Sequence, residues 1–462
     1  MLCVRIHCLY TRLIALCGGS SLANEINPIV YILIEISLRE LDAKLLTALF
    51  LVKKGFRVIV GYQWELTINR DCLPTGIFFF KGMNKIQTKF MTKVRQFGHT
   101  VVAMEEELLD IGMEPPEDFD YRDRFDTDAN ACDLFFASNE FEMGFVKQLK
   151  PDLDVRLTGN PRTDCLRPEL ISIYDSAREE ISKTIASSYI LINTNPGMVN
   201  SILSPKLFSD IQEKMSPKDE EWLKRYEKRK NAQIRWETYN LKTTFQLIEL
   251  FGRHSPDQKV LIRAHPGEKL DSYVRLSQKY SNVSVLDNKD SANPWILASD
   301  ILIHTGCTTG AEAVAMNHPT ISIQEKGSEF ISFKVSNNVS YLTHTAEEAY
   351  QAVRDFYAGK LKPGKASKLK ELWTAQEGKF AAEGIADGIY QCYLDLGGTF
   401  DGVKGVSVKL KTLVLTDFEK RKMFVEFSQV EHRLRQMCEL LPNIPPLALH
   451  EISRNMFYIS PV

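Results

Sequence analysis

Two strand–turn–helix patterns in the second half of the chain carry residue types suited to nucleotide chemistry. The apolar run KVLIR (259–263) ends at His265-Pro266, and the run ILIH (301–304) ends in the turn TGCTTG (305–310), which a helical pattern follows. In open α/β sheets ligands bind at the carboxyl ends of such strands. The free N–H groups and dipole at a helix N-terminus suit a phosphate. We therefore expect this half of the chain to bind a nucleotide.

Three charged or ionisable residues near these turns could contact that nucleotide. Glu312 lies early in the second helix, where its carboxylate could accept hydrogen bonds from ribose hydroxyls or complement the helix dipole. His265 could donate to a phosphate or simply end a strand. Arg263 could face a carboxylate of the donor or a neighbouring helix.

Acidic residues follow two predicted strands in the N-terminal half. Glu35 lies near the end of the apolar run 29–36, and Glu105-Glu106-Glu107 come directly after TVVAM (100–104). Carboxylates at strand ends could hold a general base or a covalent nucleophile. The alternative is that the run of three is a solvated surface.

Strands alternate with helical patterns along most of the chain, which predicts the α/β class with doubly wound parallel sheets. We expect two Rossmann-like domains, residues 29–165 and 186–360, that resemble the GT-B architecture with a cleft between them. An N-terminal extension (1–28) would precede them, and a C-terminal helical segment and tail (361–462) would follow. In that architecture the first domain holds the acceptor and the second holds the nucleotide.

Composition narrows the class of protein. The 462 residues carry a formal net charge of −2, so no global field favours nucleic acid. The nine cysteines show no CxxC pairing and no metal-ligand spacing, which indicates reduced thiols and no metal site. No apolar run is long enough for a spanning helix. We expect a cytoplasmic protein, with peripheral association at the inner face of a membrane left open.

Several ordered motifs between residues 29 and 357 resemble those of the bacterial surface carbohydrate biosynthesis protein family. They are Glu35 with LRELDAKLL (38–46), GFRVIVG (55–61), LPTGIFF (73–79), GHTVVAMEEE (98–107), TGNPRTD (158–164), ILINTN (190–195), RAHPGE (263–268) and HTGCTTGAEA (304–313). That family is in turn similar to GT-B transferases that use CMP-activated sugars, such as Kdo and sialic acid transferases.

The resemblance implies roles for individual residues. His265 and Pro266 would contact the nucleotide, and Glu312 would take its ribose. The phosphate would be bound by the turn and the helix start, at Thr305, Gly306, Thr308, Thr309 and Gly310. Side chains on the acceptor side or in the cleft would be Arg39, Glu40, Asn160, Arg162, Asn193 and Asn195. Arg39 and Arg162 could instead be surface ion-pair partners.

The leading hypothesis is a metal-independent glycosyltransferase of surface polysaccharide biosynthesis. It would transfer a sugar from a nucleotide donor, CMP by resemblance, to a glycan or lipid-linked glycan acceptor, without a cofactor. Glu106, Glu35 or Glu107 would act as base or nucleophile. Alternatives are a CDP-polyol phosphotransferase or a nucleotide-sugar epimerase. A further alternative is a non-catalytic scaffold of a polysaccharide assembly complex, docking through the long charged helix that begins near Pro217 and through the tail.

Overall fold

The computed structural model describes most of the chain. The described residues are 28–107, 121–126, 130–203, 220–287, 290–328, 335–361, 378–398, 410–416, 419–420 and 425–462, with the single residues 364, 367, 369, 373 and 423. They fall into two compact units. The first unit draws on residues 1–108, 124–165 and 375–462, and the second on 109–123 and 166–374.

An eight-stranded sheet forms the first unit. Its strands are β1 (Ile29–Ile34), β2 (Arg57–Tyr62), β3 (Ile77–Phe80), β4 (Thr100–Met104), β5 (Leu134–Ala137), β6 (Asp154–Leu157), β13 (Leu447–Ser453) and β14 (Met456–Pro461). The order is β13-β14-β2-β1-β3-β4-β5-β6, and β1 to β6 are parallel. The central strands are buried on both faces, as their continuous apolar runs predict.

Helices cover the sheet of the first unit. They are α1 (Ser37–Lys53), α2 (Gln63–Ile68), α3 (Lys85–Arg95), α4 (Glu140–Leu149), α5 (Pro161–Asp164), α13 (Ala381–Asp395) and α14 (Phe427–Leu440). Of the 3-10 turn Tyr121–Arg124, only Arg124 belongs to this unit. Both α13 and α14 pack against α1. Two residues of α13, Tyr390 and Tyr393, meet Phe56 edge to face.

The C-terminal residues belong to the first unit, whereas the sequence suggested a separate segment and tail. Strand β14 pairs antiparallel with β2, and β13 pairs with β14. Asp164 accepts hydrogen bonds from the N–H groups of Ala381 and Ala382 at 3.1 and 2.9 Å, which caps α13. Residues 410–416 form no strand or helix. The last helix of the chain among the described elements is α14, which begins at Phe427.

A six-stranded parallel sheet forms the second unit. Its strands are β7 (Tyr189–Asn193), β8 (Lys259–Arg263), β9 (Val283–Val285), β10 (Ile301–His304), β11 (Thr320–Ile323) and β12 (Tyr341–Thr343). The order is β12-β11-β10-β7-β8-β9, the 3-2-1-4-5-6 arrangement of a Rossmann sheet. The α/β class with two Rossmann-like units is therefore confirmed.

The helices of the second unit enclose two apolar cores on the sheet. They are α6 (Asp175–Ile185), α7 (Glu220–His254), α8 (Asp271–Ser277), α9 (Ala292–Ala298), α10 (Thr308–Ala315), α11 (Val335–Val339) and α12 (Ala346–Tyr357), with a 3-10 turn at Ile171–Tyr174. The predicted start of the long helix at Pro217 lies outside the described residues, as do residues 1–27 of the N-terminal extension. Within the part of the chain that is described, no helix is both long and apolar enough to cross a membrane.

Candidate functional site

The chain reverses its direction of winding in the second sheet between β7 and β10. These neighbouring strands end at Asn193 and His304, and β8 ends beside β7 at Arg263. A ligand of a doubly wound sheet binds at the carboxyl ends of the strands that flank such a switch point. The nucleotide residues predicted from the sequence cluster at this edge.

The turn after β10 delivers the chain into the start of α10. Gly306 has a φ of +79°, a conformation that suits glycine, and its N–H donates to His304 Nδ1 at 3.1 Å. Cys307 is the N-cap residue and makes no side-chain cap hydrogen bond, and burial raises the pKa of its thiol. Thr308 is exposed. The helix thus presents its first turn at the switch point.

Gly310 is required by the close approach of His304 to α10. A Cβ at Gly310 would lie 2.1 Å from His304 Nε2. The imidazole is fully buried, and its Nε2 is 3.0 Å from the hydroxyl of Ser340. Burial lowers the pKa of His304 to about 3, so the ring is neutral at physiological pH. His304 therefore supports the turn structurally.

Asparagine and threonine side chains join the ends of β7 and β10. Asn193 donates to Thr309 Oγ1 at 3.1 Å, and the amide of Asn195 donates to the carbonyl of Thr305 at 2.9 Å. The hydroxyl of Thr305 donates back to Asn195 Oδ1 at 2.6 Å. Asn240 on α7 joins this cluster, since its amide donates to Asn195 Oδ1 at 3.5 Å and to the carbonyl of Thr305 at 3.4 Å. Among the described residues nothing donates to the buried oxygens Asn193 Oδ1 and Asn240 Oδ1. The cluster therefore holds acceptors that a ligand's N–H or O–H groups could satisfy.

The turn after β8 exposes His265. Its Nδ1 accepts a hydrogen bond from the N–H of Gly267 at 3.1 Å, so a neutral ring carries its proton on Nε2. Pro266 is half-buried beside it. The imidazole can therefore offer an N–H to an anion from an exposed position.

Arg263 and Glu312 are both buried near the same edge. Arg263 donates to the carbonyl of Asp290 at 2.7 Å. Burial lowers the pKa of Arg263, against the favourable charges of Cys307, Asp290 and Glu312. The contact described for Arg263 is thus with a backbone carbonyl, and its proposed contact with a carboxylate of the donor stays a prediction.

A second polar cluster lies at the switch point of the first sheet, between β1 and β3. Its centre is Lys81, directly after β3. Lys81 Nζ lies 2.7 Å from Glu35 Oε2, 3.2 Å from Glu40 Oε1 and 3.1 Å from Glu107 Oε1. Burial opposes ionisation of Glu40, but Lys81, Arg39 and Lys44 lower its pKa to about 2.

Arginines bind the outer side of this cluster. Arg39 lies 3.2 Å from Glu107 Oε1, and Arg124 lies 2.9 Å from Glu105 and 2.8 Å from Glu107 Oε2. Burial disfavours the charge on Glu107, yet Lys81, Arg39 and Arg124 hold its pKa well below the usual range. The side chains of Glu35, Arg39, Glu107 and Arg124 keep 25–34% of their surface exposed. These four form the solvent-accessible rim.

Glu106 occupies the interior of the cluster. It forms a buried ion pair with Lys44, and Arg162 donates to its backbone carbonyl at 3.1 Å. Burial raises the pKa of Glu106, although Lys44 acts in the opposite direction. Asn160 caps α5 by accepting from the N–H of Arg162 at 3.0 Å. Arg39 is therefore a partly exposed ion-pair partner of Glu107, whereas Arg162 is buried and bonds to the backbone of Glu106.

Sequence reasoning missed the cations that organise the first cluster, namely Lys44, Lys81 and Arg124, and missed Glu268 in the second unit. A signal for Lys81 was present, because it directly follows the apolar run IFFF (77–80) as Glu105 follows β4. Arg124 stands in an acidic, irregular stretch and gives no such signal. Among the described residues, no group of three or more His, Cys, Asp or Glu side chains could hold a metal ion.

Comparisons with known proteins give only distant likenesses. No family model and no curated protein matches the chain. The UDP-GlcNAc 2-epimerase from Neisseria meningitidis bound to UDP-GlcNAc is 12% identical, over 80% of this chain and 100% of that chain, with a TM-score of 0.44. A second UDP-N-acetylglucosamine 2-epimerase is 12% identical over 83% of this chain and 100% of that chain, with a TM-score of 0.48. The wall teichoic acid polymerase TagF is 12% identical over 85% of this chain and 98% of that chain, with a TM-score of 0.44. The two-unit α/β fold is established by the strand order and pairing described above.

Proposed function

We propose that the chain is a nucleotide-sugar enzyme that binds its nucleotide at the edge of the second sheet. The observation that supports this most is the polar cluster at the β7/β10 switch point. There, Asn193 and Asn195 are hydrogen bonded to the first turn of α10 and to the turn before it. Two buried amide oxygens of the cluster accept nothing from the described residues. Because an unsatisfied buried acceptor is costly, a ligand that supplies donors would be stabilised there.

In this proposal the nucleotide's phosphate lies at the start of α10. The N–H groups at the start of a helix favour an anion, although that of Gly310 already donates to the carbonyl of Cys307 at 3.0 Å. Thr308 and Thr309 supply hydroxyls, and Gly306 allows the backbone before the helix to approach closely, while Gly310 lets the first turn pack on His304. His265 and Pro266 contact the nucleotide, with Nε2 of His265 donating to a phosphate oxygen. Glu312 accepts from the ribose.

The reaction we propose is transfer of a sugar from a CMP donor to a glycan of a surface polysaccharide. As the glycosidic bond breaks, charge develops on the leaving phosphate, which the helix N–H groups and His265 stabilise. A carboxylate of the first cluster, Glu35, Glu106 or Glu107, serves as base in an inverting route or nucleophile in a retaining one. The partial exposure of Glu35 and Glu107 favours them over the interior Glu106.

Product analysis tests this function. The purified protein is incubated with CMP-, CDP-, UDP- and GDP-activated donors, with and without a glycan acceptor, beside a His265→Ala control. A transferase releases free nucleotide together with an extended acceptor. An epimerase alters the sugar without any acceptor, and a polyol phosphotransferase releases CMP from a CDP-polyol. A protein that binds glycan but changes no donor would be a scaffold, which contradicts the proposal.

A further inference from the structure

Glu268 lies beneath the turn that carries His265, and four donors converge on its carboxylate. Oε1 accepts from the backbone N–H of His265 at 2.9 Å and from the hydroxyl of Thr194 at 2.7 Å. Oε2 accepts from the hydroxyl of Tyr273 at 2.7 Å and from the amide of Asn200 at 3.3 Å. The residue is 1% exposed. A buried carboxylate is costly unless it is hydrogen bonded, and here both oxygens have two donors.

These contacts join the loops that follow two neighbouring strands. Thr194 and Asn200 belong to the loop after β7, and His265 and Glu268 belong to the loop after β8. Backbone bonds reinforce the junction, from Lys269 N to Asn200 O at 2.8 Å and from Ile202 N to Gly267 O at 2.9 Å. Among these described contacts, Glu268 is the one side chain that accepts both from the backbone N–H of His265 and from the hydroxyl of Thr194. Thr194 directly precedes Asn195, a member of the β7/β10 cluster. It therefore couples the position of His265 to that of the β7/β10 cluster.

We propose that Glu268 is a positioning residue for nucleotide binding, which holds the His265 turn in register with the β7 loop. This inference rests on the nucleotide site proposed above. Glu268 does not contact the nucleotide. It acts by fixing the backbone N–H of His265, so that the imidazole is already oriented when the phosphate arrives. Preorganisation of this kind reduces the ordering cost that binding must overcome.

The effect of a substitution at Glu268 on nucleotide binding should depend more on the length of the new side chain than on its charge. Glu268→Gln keeps an oxygen on the N–H of His265, because the hydroxyls of Thr194 and Tyr273 can each donate or accept. Glu268→Asp keeps the charge but withdraws the carboxylate by one methylene from His265. Glu268→Ala removes all four acceptor contacts. Aspartate serves as the folded alternative if the alanine variant fails to fold.

The test measures CMP affinity by calorimetry for these variants, alone and combined with His265→Ala. We expect Glu268→Asp to weaken CMP binding about tenfold, the factor that corresponds to one charge-assisted hydrogen bond, and Glu268→Gln by less than about threefold. In the His265→Ala background, Glu268→Asp should change the dissociation constant by less than about twofold. Glu142→Gln, at a buried carboxylate of the first unit, is the matched control and should leave CMP affinity unchanged.

Amide hydrogen exchange at His265 gives a second readout that needs no nucleotide. The proposal is supported if the amide of His265 exchanges faster in Glu268→Asp and if Glu268→Asp no longer weakens CMP binding in the His265→Ala background. An equal loss of affinity in both backgrounds, or unchanged exchange at His265, overturns it. If the wild-type chain binds none of CMP, CDP, UDP or GDP, the proposed function fails. The positioning role for nucleotide then fails with it.

Discussion

Lys81 and Glu40 form a buried ion pair at the switch point of the first sheet, with 3.2 Å between Nζ and Oε1. The same ammonium contacts Glu35 and Glu107 on the rim. One cation thus orients an interior carboxylate and both of the exposed carboxylates proposed for catalysis.

Replacing Lys81 by methionine should destabilise the first unit by about 3–5 kcal/mol, because it leaves buried Glu40 without its nearest cation. Glu40 has its pKa lowered to about 2, below its ordinary value of 4.5, so its stabilisation is present above pH 4.5 and is lost as the pH falls toward 2. The difference in free energy of unfolding between the wild type and Lys81→Met should therefore be larger at pH 7 than at pH 3. Urea unfolding at both pH values measures it.

The exposed Lys183 provides the control for that experiment. Lys183 is 80% exposed, and its ion pair with Glu179 spans 3.8 Å on the surface of α6. Lys183→Met should change the free energy of unfolding by less than about 0.5 kcal/mol. If Lys81→Met is as mild as this control at pH 7, Lys81 does not hold the cluster together.

Glu142→Gln should become more stable relative to wild type as the pH rises. Burial raises the pKa of Glu142 to about 8, with Glu105 adding to the shift and a bond from Ser138 N opposing it. The folded chain therefore binds a proton that the unfolded chain has released between pH 4.5 and 8. The free energy of unfolding falls over that window by at most about 1.4 kcal/mol per pH unit. Unfolding at pH 5, 6.5 and 8 tests this, with exposed Glu140→Gln as control; parallel profiles for the two variants would contradict it.

Gly310→Ala should destabilise the second unit by about 1–3 kcal/mol and weaken nucleotide binding, because its Cβ would overlap His304 Nε2. Gly144→Ala is the matched control, since a Cβ there meets nothing within 4 Å on an exposed face of α4. That control should stabilise the protein by about 0.5–1 kcal/mol. A double-mutant cycle with His304→Ala should recover part of the loss at Gly310. Strict additivity would argue against the steric account.

Asp164→Ala should cost about 1–2 kcal/mol of stability, because two N–H groups at the start of α13 lose their acceptor. Asp164→Asn keeps one oxygen and should cost about half as much. Neither change should alter nucleotide affinity by more than about twofold. A loss of affinity without a loss of stability would show that this motif residue acts in a site rather than as a cap. Chemical denaturation and calorimetry on the same samples separate these outcomes.

Much of the fold could be predicted because the parallel strands are buried on both faces. Runs such as IVYILI (29–34) and ILIH (301–304) are apolar without alternation, and helical patterns separate them. The hairpin of β13 and β14 could not be assigned to the first sheet. Its partner β2 lies about 400 residues earlier in the chain, and edge pairing across that distance leaves no local pattern.

The candidate sites could be placed at strand ends but not resolved into contacts. Glu106 and Glu107 are adjacent in sequence, yet one is paired inside the unit with Lys44 and the other is on the rim. Their environments differ because Glu106 pairs with Lys44 and Glu107 with Lys81, and both of these cations lie elsewhere in the chain. Glu268 was visible in RAHPGE (263–268), but its role depends on Thr194, Asn200 and Tyr273 converging on it in the fold.

The most direct test of the central claim is nucleotide-dependent thermal stabilisation, with CMP, CDP, UDP and GDP compared on the wild type and on His265→Ala. A ligand at 100 times its dissociation constant adds about 2.7 kcal/mol of stability. His254→Ala, at an exposed histidine of the same unit, is the control. We predict a shift with CMP that persists in His254→Ala and is smaller, at the same CMP concentration, in His265→Ala. A shift with CDP, UDP or GDP in place of CMP would contradict the proposal that the donor is a CMP-activated sugar. No shift with any nucleotide would contradict the nucleotide site itself.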